Sequence, residues 1–323
     1  MAFLPPEGDL TIGFAHPVYA LRELFLARGH GARSFQVRSL DELRERAPEA
    51  DVLVVSGLWR NELMARLPKL RFIQSVSAGT DQFDKAAIAA AGIRLASAQG
   101  GNERAVAEHA IALMLALARQ IHFARDNQAR QYWRPMIGDL TAREDELGGK
   151  TLVVVGLGRI GLRLAKLAAA FDMRVVGVRR SAAPQPHAEA VVHPDKLAEA
   201  VAQADFVVLT CPLTPETDGL IDARILAAMK PSAFLVNVAR GRVVDEVALI
   251  DALGNSGIAG AGLDCFHEEP LPAASPFWRM PQVIVTPHSA GETRAYEGRV
   301  IDILLDNLHR LEHGEAGLLN QIV

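Results

Sequence analysis

The stretch Val153-Val154-Val155-Gly156-Leu157-Gly158-Arg159-Ile160-Gly161 decides the fold. A β-branched run ends at Gly156, and Gly156, Gly158 and Gly161 stand at G-x-G-x-x-G spacing. The Ala/Leu-rich segment Leu162–Ala170 follows at once, and then a second apolar run, Arg174–Val178. Strand, glycine turn, helix, strand is the setting in which this spacing means a dinucleotide site. Gly156 allows the tight turn. Gly158 lets backbone N–H groups approach a pyrophosphate, and the helix N-terminus adds positive potential. Gly161 lets helix and strand pack closely. The spacing alone is a weak signal; the βαβ setting makes it specific.

Working outward, the same alternation fills the chain. From the strand that leads into the turn onward, strands are expected at Thr151–Val155, Arg174–Val178, Phe206–Leu209, Ala233–Asn237, Gly260–Leu263 and Val283–Val285. Helices are expected at Gly161–Ala170, Pro194–Gln203, Asp222–Ala228 and Glu246–Leu253. Before it, strands Leu10–Phe14, Arg33–Val37, Asp51–Val55, Leu70–Val76 and Ile93–Ala96 alternate with helices Pro17–Arg28, Leu40–Ala47, Glu62–Leu67 and Asp84–Ala91. Ser77–Asp81 is a turn. The fold class this implies is α/β, with two doubly wound parallel sheets. The long helix Thr293–His313 lies beyond the second series. It is expected to return to the first unit, giving a discontinuous domain, 1–101 plus 292–323, around a dinucleotide-binding domain, 102–291.

Between the two series, Ala105–Ala118 is apolar nearly all the way round, so it must be buried on most faces. Two readings fit it equally: an internal core helix, or a helix that also packs against a second subunit. His109 follows Glu108 there, and the two are expected to form a hydrogen-bonded core pair. Tyr132-Trp133-Arg134-Pro135 lies in a loop-like stretch reaching Gly149.

Composition narrows the function. Half of the 323 residues are hydrophobic, enough for a sizeable core. The net charge is −4 and no basic run stands out, which argues against nucleic acid as a partner. The two cysteines, Cys211 and Cys265, are far apart, so neither a disulfide framework nor a zinc site is expected; a reducing cytoplasm fits. No secretory signal is visible at Met1–Asp9. The most apolar stretch is too short to span a bilayer, so no membrane association is expected; with the cysteines so placed, no metal is expected either.

In an open α/β sheet, functional groups belong at the carboxyl ends of strands. Val238-Ala239-Arg240-Gly241 follows one strand; Asp264 and then Glu268-Glu269-Pro270 follow the next; Thr286-Pro287-His288 follows the last. An arginine, several carboxylates and a histidine thus converge on the edge that holds the glycine turn. Arginine can grip a carboxylate through two parallel hydrogen bonds. Histidine can give or take a proton near neutrality, and a neighbouring carboxylate raises its pKa. The other histidines, His16, His30, His122, His187, His193, His267, His309 and His313, are expected to be surface or packing residues.

These stretches, with Val-Ser-Ala-Gly-Thr-Asp (76–81), Asn-Glu-Arg-Ala-Val-Ala-Glu-His (102–109), Leu-Thr-Cys-Pro-Leu-Thr-Pro-Glu-Thr (209–217) and Thr-Pro-His-Ser-Ala-Gly (286–291), occur in one order. The chain resembles the D-isomer-specific 2-hydroxyacid dehydrogenases from about residue 70 to 291. That resemblance implies two Rossmann-like domains with the active site in the cleft between them. It implies that Arg240 binds the substrate carboxylate, that Glu269 pairs with His288, and that His288 donates the proton as hydride leaves the nicotinamide. Backbone N–H groups of Ala78 and Gly79 would help hold the carboxylate. Asp264 would bond the nicotinamide carboxamide. Arg159 and Ile160 would contact the pyrophosphate. Cys211, Pro212, Thr217, Val238, Ala239, Arg240, His288 and Gly291 would line the cofactor site. A homodimer would form largely through the helix matching Ala105–Ala118.

One departure concerns the cofactor. The second strand ordinarily ends in an acidic residue about 20 positions after the glycine turn, which accepts from the ribose 2′-hydroxyl. Here it ends Val178-Arg179-Arg180-Ser181. Two guanidinium groups and a hydroxyl suit a 2′-phosphate, so NADP(H) is expected to be preferred, with NAD(H) possible. Glyoxylate/hydroxypyruvate reductases of the family shape their pocket with a tryptophan from the partner subunit. Trp133 stands in a comparable stretch, which points to a small 2-oxoacid such as glyoxylate or hydroxypyruvate. The alternatives are a D-3-phosphoglycerate-type dehydrogenase and a non-catalytic, nucleotide-sensing protein like the corepressors built on this fold.

Overall fold

The computed structural model describes residues 3–323 and divides into two compact units: Met1–Asn102 with Thr293–Val323, and Glu103–Glu292.

The first unit is a five-stranded parallel sheet. Its strands are β1 (Thr11–Ala15), β2 (Arg33–Val37), β3 (Val52–Val55), β4 (Phe72–Ser75) and β5 (Arg94–Ala96), in the order β2-β1-β3-β4-β5. The order reverses at β1 and β3. Helices α1 (Leu21–Ala27), α2 (Leu40–Arg46) and α3 (Lys85–Ala90) join them. The side chains of β3 alternate between two apolar layers, Val52 and Val54 facing one and Leu53 and Val55 the other. Burial on both faces explains its unbroken apolar run. The C-terminal helix, Tyr296–Glu312, covers one face with Val300, Ile301, Leu304, Leu308 and Leu311. Each such buried side chain contributes about 1.5–3 kcal/mol. Its buried Asn307 donates to Gln74 Oε1 (3.0 Å) and accepts from Leu319 N–H (2.7 Å), so both ends of that amide are satisfied.

The second unit has seven parallel strands: β6 (Thr151–Val155), β7 (Arg174–Val178), β8 (Ala190–Val192), β9 (Phe206–Leu209), β10 (Phe234–Asn237), β11 (Gly260–Leu263) and β12 (Val283–Val285). Their order is β12-β11-β10-β9-β6-β7-β8. The switch point falls between β6 and β9, at the glycine turn. Helices α4 (Glu103–Ala118), α5 (Ile121–Ala129), α6 (Arg159–Ala170), α7 (Leu197–Val201), α8 (Ala223–Ala228) and α9 (Glu246–Gly254) complete it. Val153 and Val155 of β6 face one core layer, Leu152 and Val154 the other.

The structure corrects one expected helix and adds two elements, α5 and β8. Pro17–Arg28 is helical only from Leu21, because His16 Nδ1 accepts the N–H groups of Val18 and Tyr19 and holds that segment in a turn. The stretch from Tyr132 to Gly149 is loop apart from one 3-10 turn, Leu140–Ala142; α5, which precedes it, carries no helix signal in the sequence because none of its residues is buried and no apolar period marks it. α4 is covered on most faces, as its apolar sequence implies, and only a narrow stripe through Arg104, Glu108 and Ala112, one turn apart, is exposed. β8 is a short edge strand that the sequence reading left out.

Candidate active site

The glycine turn is a backbone cradle. Gly156 has φ +101°, and a Cβ there would lie 2.5 Å from Cys211 N. A Cβ on Gly161 would lie 2.4 Å from Gly156 O, so both positions exclude side chains. Gly158 differs: a Cβ on it meets nothing within 4 Å. The fold therefore has no internal need of a glycine there, and the open space lies at the N-terminus of α6, which no side chain caps. α6 begins at Arg159, two residues earlier than expected, so Arg159 and Ile160 belong to its first turn. Uncapped N–H groups, a helix dipole and room beside Gly158 fit a dinucleotide pyrophosphate.

Around the cradle, Arg179 is half-buried at the end of β7, and Arg180 and Ser181 are exposed beyond it. The Glu216 carboxyl lies below its ordinary range, through the Thr214 hydroxyl, its own N–H and, more weakly, the charge of Arg180. Buried Cys211 follows β9 by one residue, and burial pushes its thiol up to about 11, so it is neutral and unreactive. Thr217 Oγ1 donates to Pro212 O (2.7 Å) and accepts from Thr214 N–H (2.8 Å), closing the loop after β9.

Arg240, Glu269 and His288 come from the next three strand ends. Buried Asn237, the last residue of β10, accepts from Ala239 N–H (3.0 Å) and donates to Arg240 O (2.9 Å). This brace shapes Val238–Arg240. The following residue is Gly241, where a Cβ would lie 2.0 Å from the Phe266 carbonyl carbon. After β11, Glu269 Oε1 accepts from Phe266 N–H (2.9 Å), and Oε2 lies 2.8 Å from His288 Nδ1.

His288 itself has φ +53°. For a residue with a Cβ that backbone costs about 1–2 kcal/mol. The two residues that follow hold it. Ser289 N–H and Ala290 N–H both donate to Asp264, at 2.9 and 3.0 Å. A carboxylate just past β11 thus fixes the backbone that aims His288 at Glu269.

Charge follows geometry. The hydrogen bond to Glu269 raises the His288 pKa; burial and Arg240 oppose this without reversing it. Burial alone would raise the Glu269 carboxyl. The bonds from His288 and Phe266 N–H, with the charges of His288 and Arg240, bring it below its ordinary value. The pair is therefore biased toward imidazolium and carboxylate, the state of a general acid. A cavity of about 650 Å³ opens beside it, lined by Phe266, Glu269, Leu271, Trp278, Pro287 and His288 among others. A larger depression, about 900 Å³, lies at the amino-terminal edge of the first sheet. Its arginines are engaged: Arg33 with Asp9, Arg46 with Glu49, and Arg71 with Phe3 O.

Ala78 and Gly79 stand in the first unit, in the turn after β4. Among the described residues no protein acceptor takes either N–H. The turn is braced by Ser77 Oγ, which donates to Gly79 O (2.9 Å) and lies 2.5 Å from Ser56 Oγ; Gln82 Nε2 donates to Ser56 Oγ (3.0 Å). Ser56 and Gln82 carry no sequence signal, because the network joins two loops, the one after β3 and the one between β4 and α3. Trp133 is 95 % exposed in an arm that also bares Met136 and Leu140. His109 does not pair with Glu108, which is exposed; its ring turns instead toward Asp264 and Thr286. Adjacent helical residues point about 100° apart, so the expected pair could not form. No cluster of metal-ligating groups occurs among the described residues.

Fold and site define a dinucleotide-binding α/β protein with an arginine, a glutamate and a histidine at neighbouring strand ends. Residues 111–290 match the model of the D-isomer specific 2-hydroxyacid dehydrogenase NAD binding domain, and the chain belongs to that dehydrogenase family. It is 39% identical over 261 residues to D-3-phosphoglycerate dehydrogenase of Mycobacterium tuberculosis, covering 80% of this chain and 48% of that protein. The chain thus spans about half the length of those relatives. Glyoxylate reductase of Korarchaeum cryptofilum is 34% identical over 290 residues, 86% of this chain and 85% of the relative. A crystal structure of NADPH-dependent glyoxylate/hydroxypyruvate reductase from Sinorhizobium meliloti, in complex with NADP and malonate, is also similar. Its TM-score is 0.81 at 26% identity, covering 98% of this chain and 97% of that one.

Proposed function

We propose that the protein is an NAD(P)-dependent 2-hydroxyacid dehydrogenase that reduces a small 2-oxoacid, with glyoxylate or hydroxypyruvate as substrate and NADPH as the preferred cofactor. The observation that carries the reading is the 2.8 Å His288–Glu269 pair, set at the same sheet edge as the glycine turn and Arg240. The bound nicotinamide supplies the hydride. Arg240 holds the substrate carboxylate and draws charge from the 2-oxo group. Ala78 and Gly79 N–H groups are assigned to the same carboxylate. Protonated His288 gives its Nε2 proton to the carbonyl oxygen, and Glu269 stabilises the imidazolium before transfer. Asp264 accepts from the carboxamide of the nicotinamide. The glycine turn with Arg159 and Ile160 holds the pyrophosphate, and Arg179, Arg180 and Ser181 hold a 2′-phosphate.

We further assign a homodimer. The exposed Trp133, Met136 and Leu140 form an apolar arm of the kind that a second copy would cover, with Trp133 lining the partner's pocket. Among the described residues no helix is long and apolar enough to cross a membrane. The two free, buried cysteines accord with a reducing compartment, and we assign the cytoplasm.

A D-3-phosphoglycerate-type substrate is the second reading, favoured by the identity to those enzymes. A screen of glyoxylate, hydroxypyruvate, pyruvate, phenylpyruvate and, in the oxidative direction, D-3-phosphoglycerate against both cofactors separates the two. The proposal expects the highest kcat/KM with glyoxylate or hydroxypyruvate and NADPH. A clear NADH preference would remove the cofactor assignment. Turnover of D-3-phosphoglycerate alone would replace the substrate assignment.

A further inference from the structure

His109 lies outside the strand-end group, yet the hydrogen bonds behind Asp264 lead to it. Asp264 is 2 % exposed and accepts three protein donors. Oδ1 takes Thr286 Oγ1–H (2.6 Å) and Ser289 N–H (2.9 Å); Oδ2 takes Ala290 N–H (3.0 Å). His109 Nε2 reaches Thr286 Oγ1 at 3.1 Å and Asp264 Oδ1 at 3.6 Å.

A proton count fixes the direction of this chain. A threonine hydroxyl has one proton, and the Thr286 proton is committed to Asp264. Thr286 Oγ1 can therefore only accept from His109, so Nε2 must carry a hydrogen. Two further facts bear on what the chain does. Oδ1 is saturated by protein donors, while Oδ2 holds one and keeps capacity for another. The imidazole approaches from α4, an element separate from the loops that carry Thr286, Ser289 and Ala290.

We propose that His109, as the Nε2–H tautomer, is a positioning residue for the cofactor. Through Thr286 it locks Asp264 in the rotamer that presents Oδ2 to the nicotinamide carboxamide. The proposal rests on the reading of Asp264 as the carboxamide acceptor. Without the imidazole, Thr286 Oγ1 loses its donor and Asp264 its second anchoring element. The three donors to Asp264 remain, but the Thr286 hydroxyl that orients Oδ1 is held less firmly, so Oδ2 is presented to the cofactor less precisely.

The test is equilibrium binding of NADPH to the full chain, followed by its fluorescence, in His109→Leu and His109→Gln. Leucine removes the donor; glutamine can restore an N–H at about the same reach. Expected is a rise of about tenfold in the NADPH Kd for His109→Leu, with glutamine within about threefold of the parent. The KM for the 2-oxoacid at saturating NADPH should stay within twofold in both. An unchanged Kd in His109→Leu overturns the proposal. So does a glutamine variant as weak as the leucine one, since that would mean ring packing alone. Asp264→Asn separates this failure from that of the underlying reading. If it leaves the Kd unchanged, Asp264 does not hold the cofactor. If it weakens binding while His109→Leu does not, only the positioning role fails. Nitrogen NMR of the unsubstituted protein gives an arm that no folding defect can spoil: a hydrogen on Nε2 is expected, and a neutral Nδ1–H tautomer would contradict the proposal.

Discussion

His16 and His288 both follow a parallel strand, β1 in the first unit and β12 in the second, and their neighbours give them opposite chemistry. His16 Nδ1 accepts two backbone N–H groups, and its ring stacks on Tyr19 at 3.9 Å. Burial, then the charge of Arg38, lowers its pKa to about 4. It is neutral at physiological pH and shapes a turn. His288 Nδ1 faces a carboxylate, and its pKa rises. A strand-end position brings a side chain to the functional edge of a sheet; the partner on Nδ1 decides whether that side chain can be an acid. The same contrast runs through the two edges. The first offers backbone N–H groups braced by Ser56, Ser77 and Gln82, whereas the second offers Arg240, Glu269 and His288.

Substitutions sharpen this contrast. The largest expected effect is that of His288→Ala, which should lower kcat for 2-oxoacid reduction about a thousandfold, since the proton donor is removed. Steady-state assays check it, with NADPH binding measured alongside and expected to hold. Next is the Arg179→Ala, Arg180→Ala double variant. Loss of two charge-assisted contacts should cost NADPH about ten- to a hundredfold in kcat/KM and leave NADH nearly unchanged. Gln82→Ala should raise the 2-oxoacid KM only a few-fold, because it loosens a brace rather than removing a donor. The smallest effect belongs to His16→Ala, with about 1 kcal/mol of stability lost with the turn and no change in the pH profile of turnover. A His16 variant that moved that profile would erase the distinction between the two histidines.

Much of this edge was legible beforehand. Both sheets and the glycine cradle follow from local patterns: apolar runs buried on both faces, and glycines where a Cβ would strike Cys211 or Gly156. Arg240, Glu269 and His288 were readable because each lies just past a strand, where position alone implies convergence. What escaped lacked a period or a fixed spacing. α5 buries nothing, so its residues show no stripe. The Ser56–Ser77–Gln82 brace joins two loops through groups common on any surface. His109 was seen but matched to its neighbour in sequence, because the bond to Thr286 spans 177 positions.

The central claim is that Glu269 makes His288 the acid, and the pH profile of kcat for 2-oxoacid reduction tests it most directly. Reduction needs the imidazolium, so activity should hold at low pH and fall as pH rises through the raised pKa of His288. Glu269→Gln keeps the shape of the side chain and removes its charge. With the main cause of the shift gone, the alkaline limb should move to lower pH, and kcat should drop about ten- to a hundredfold. An alkaline limb at the same pH in both proteins would contradict the account.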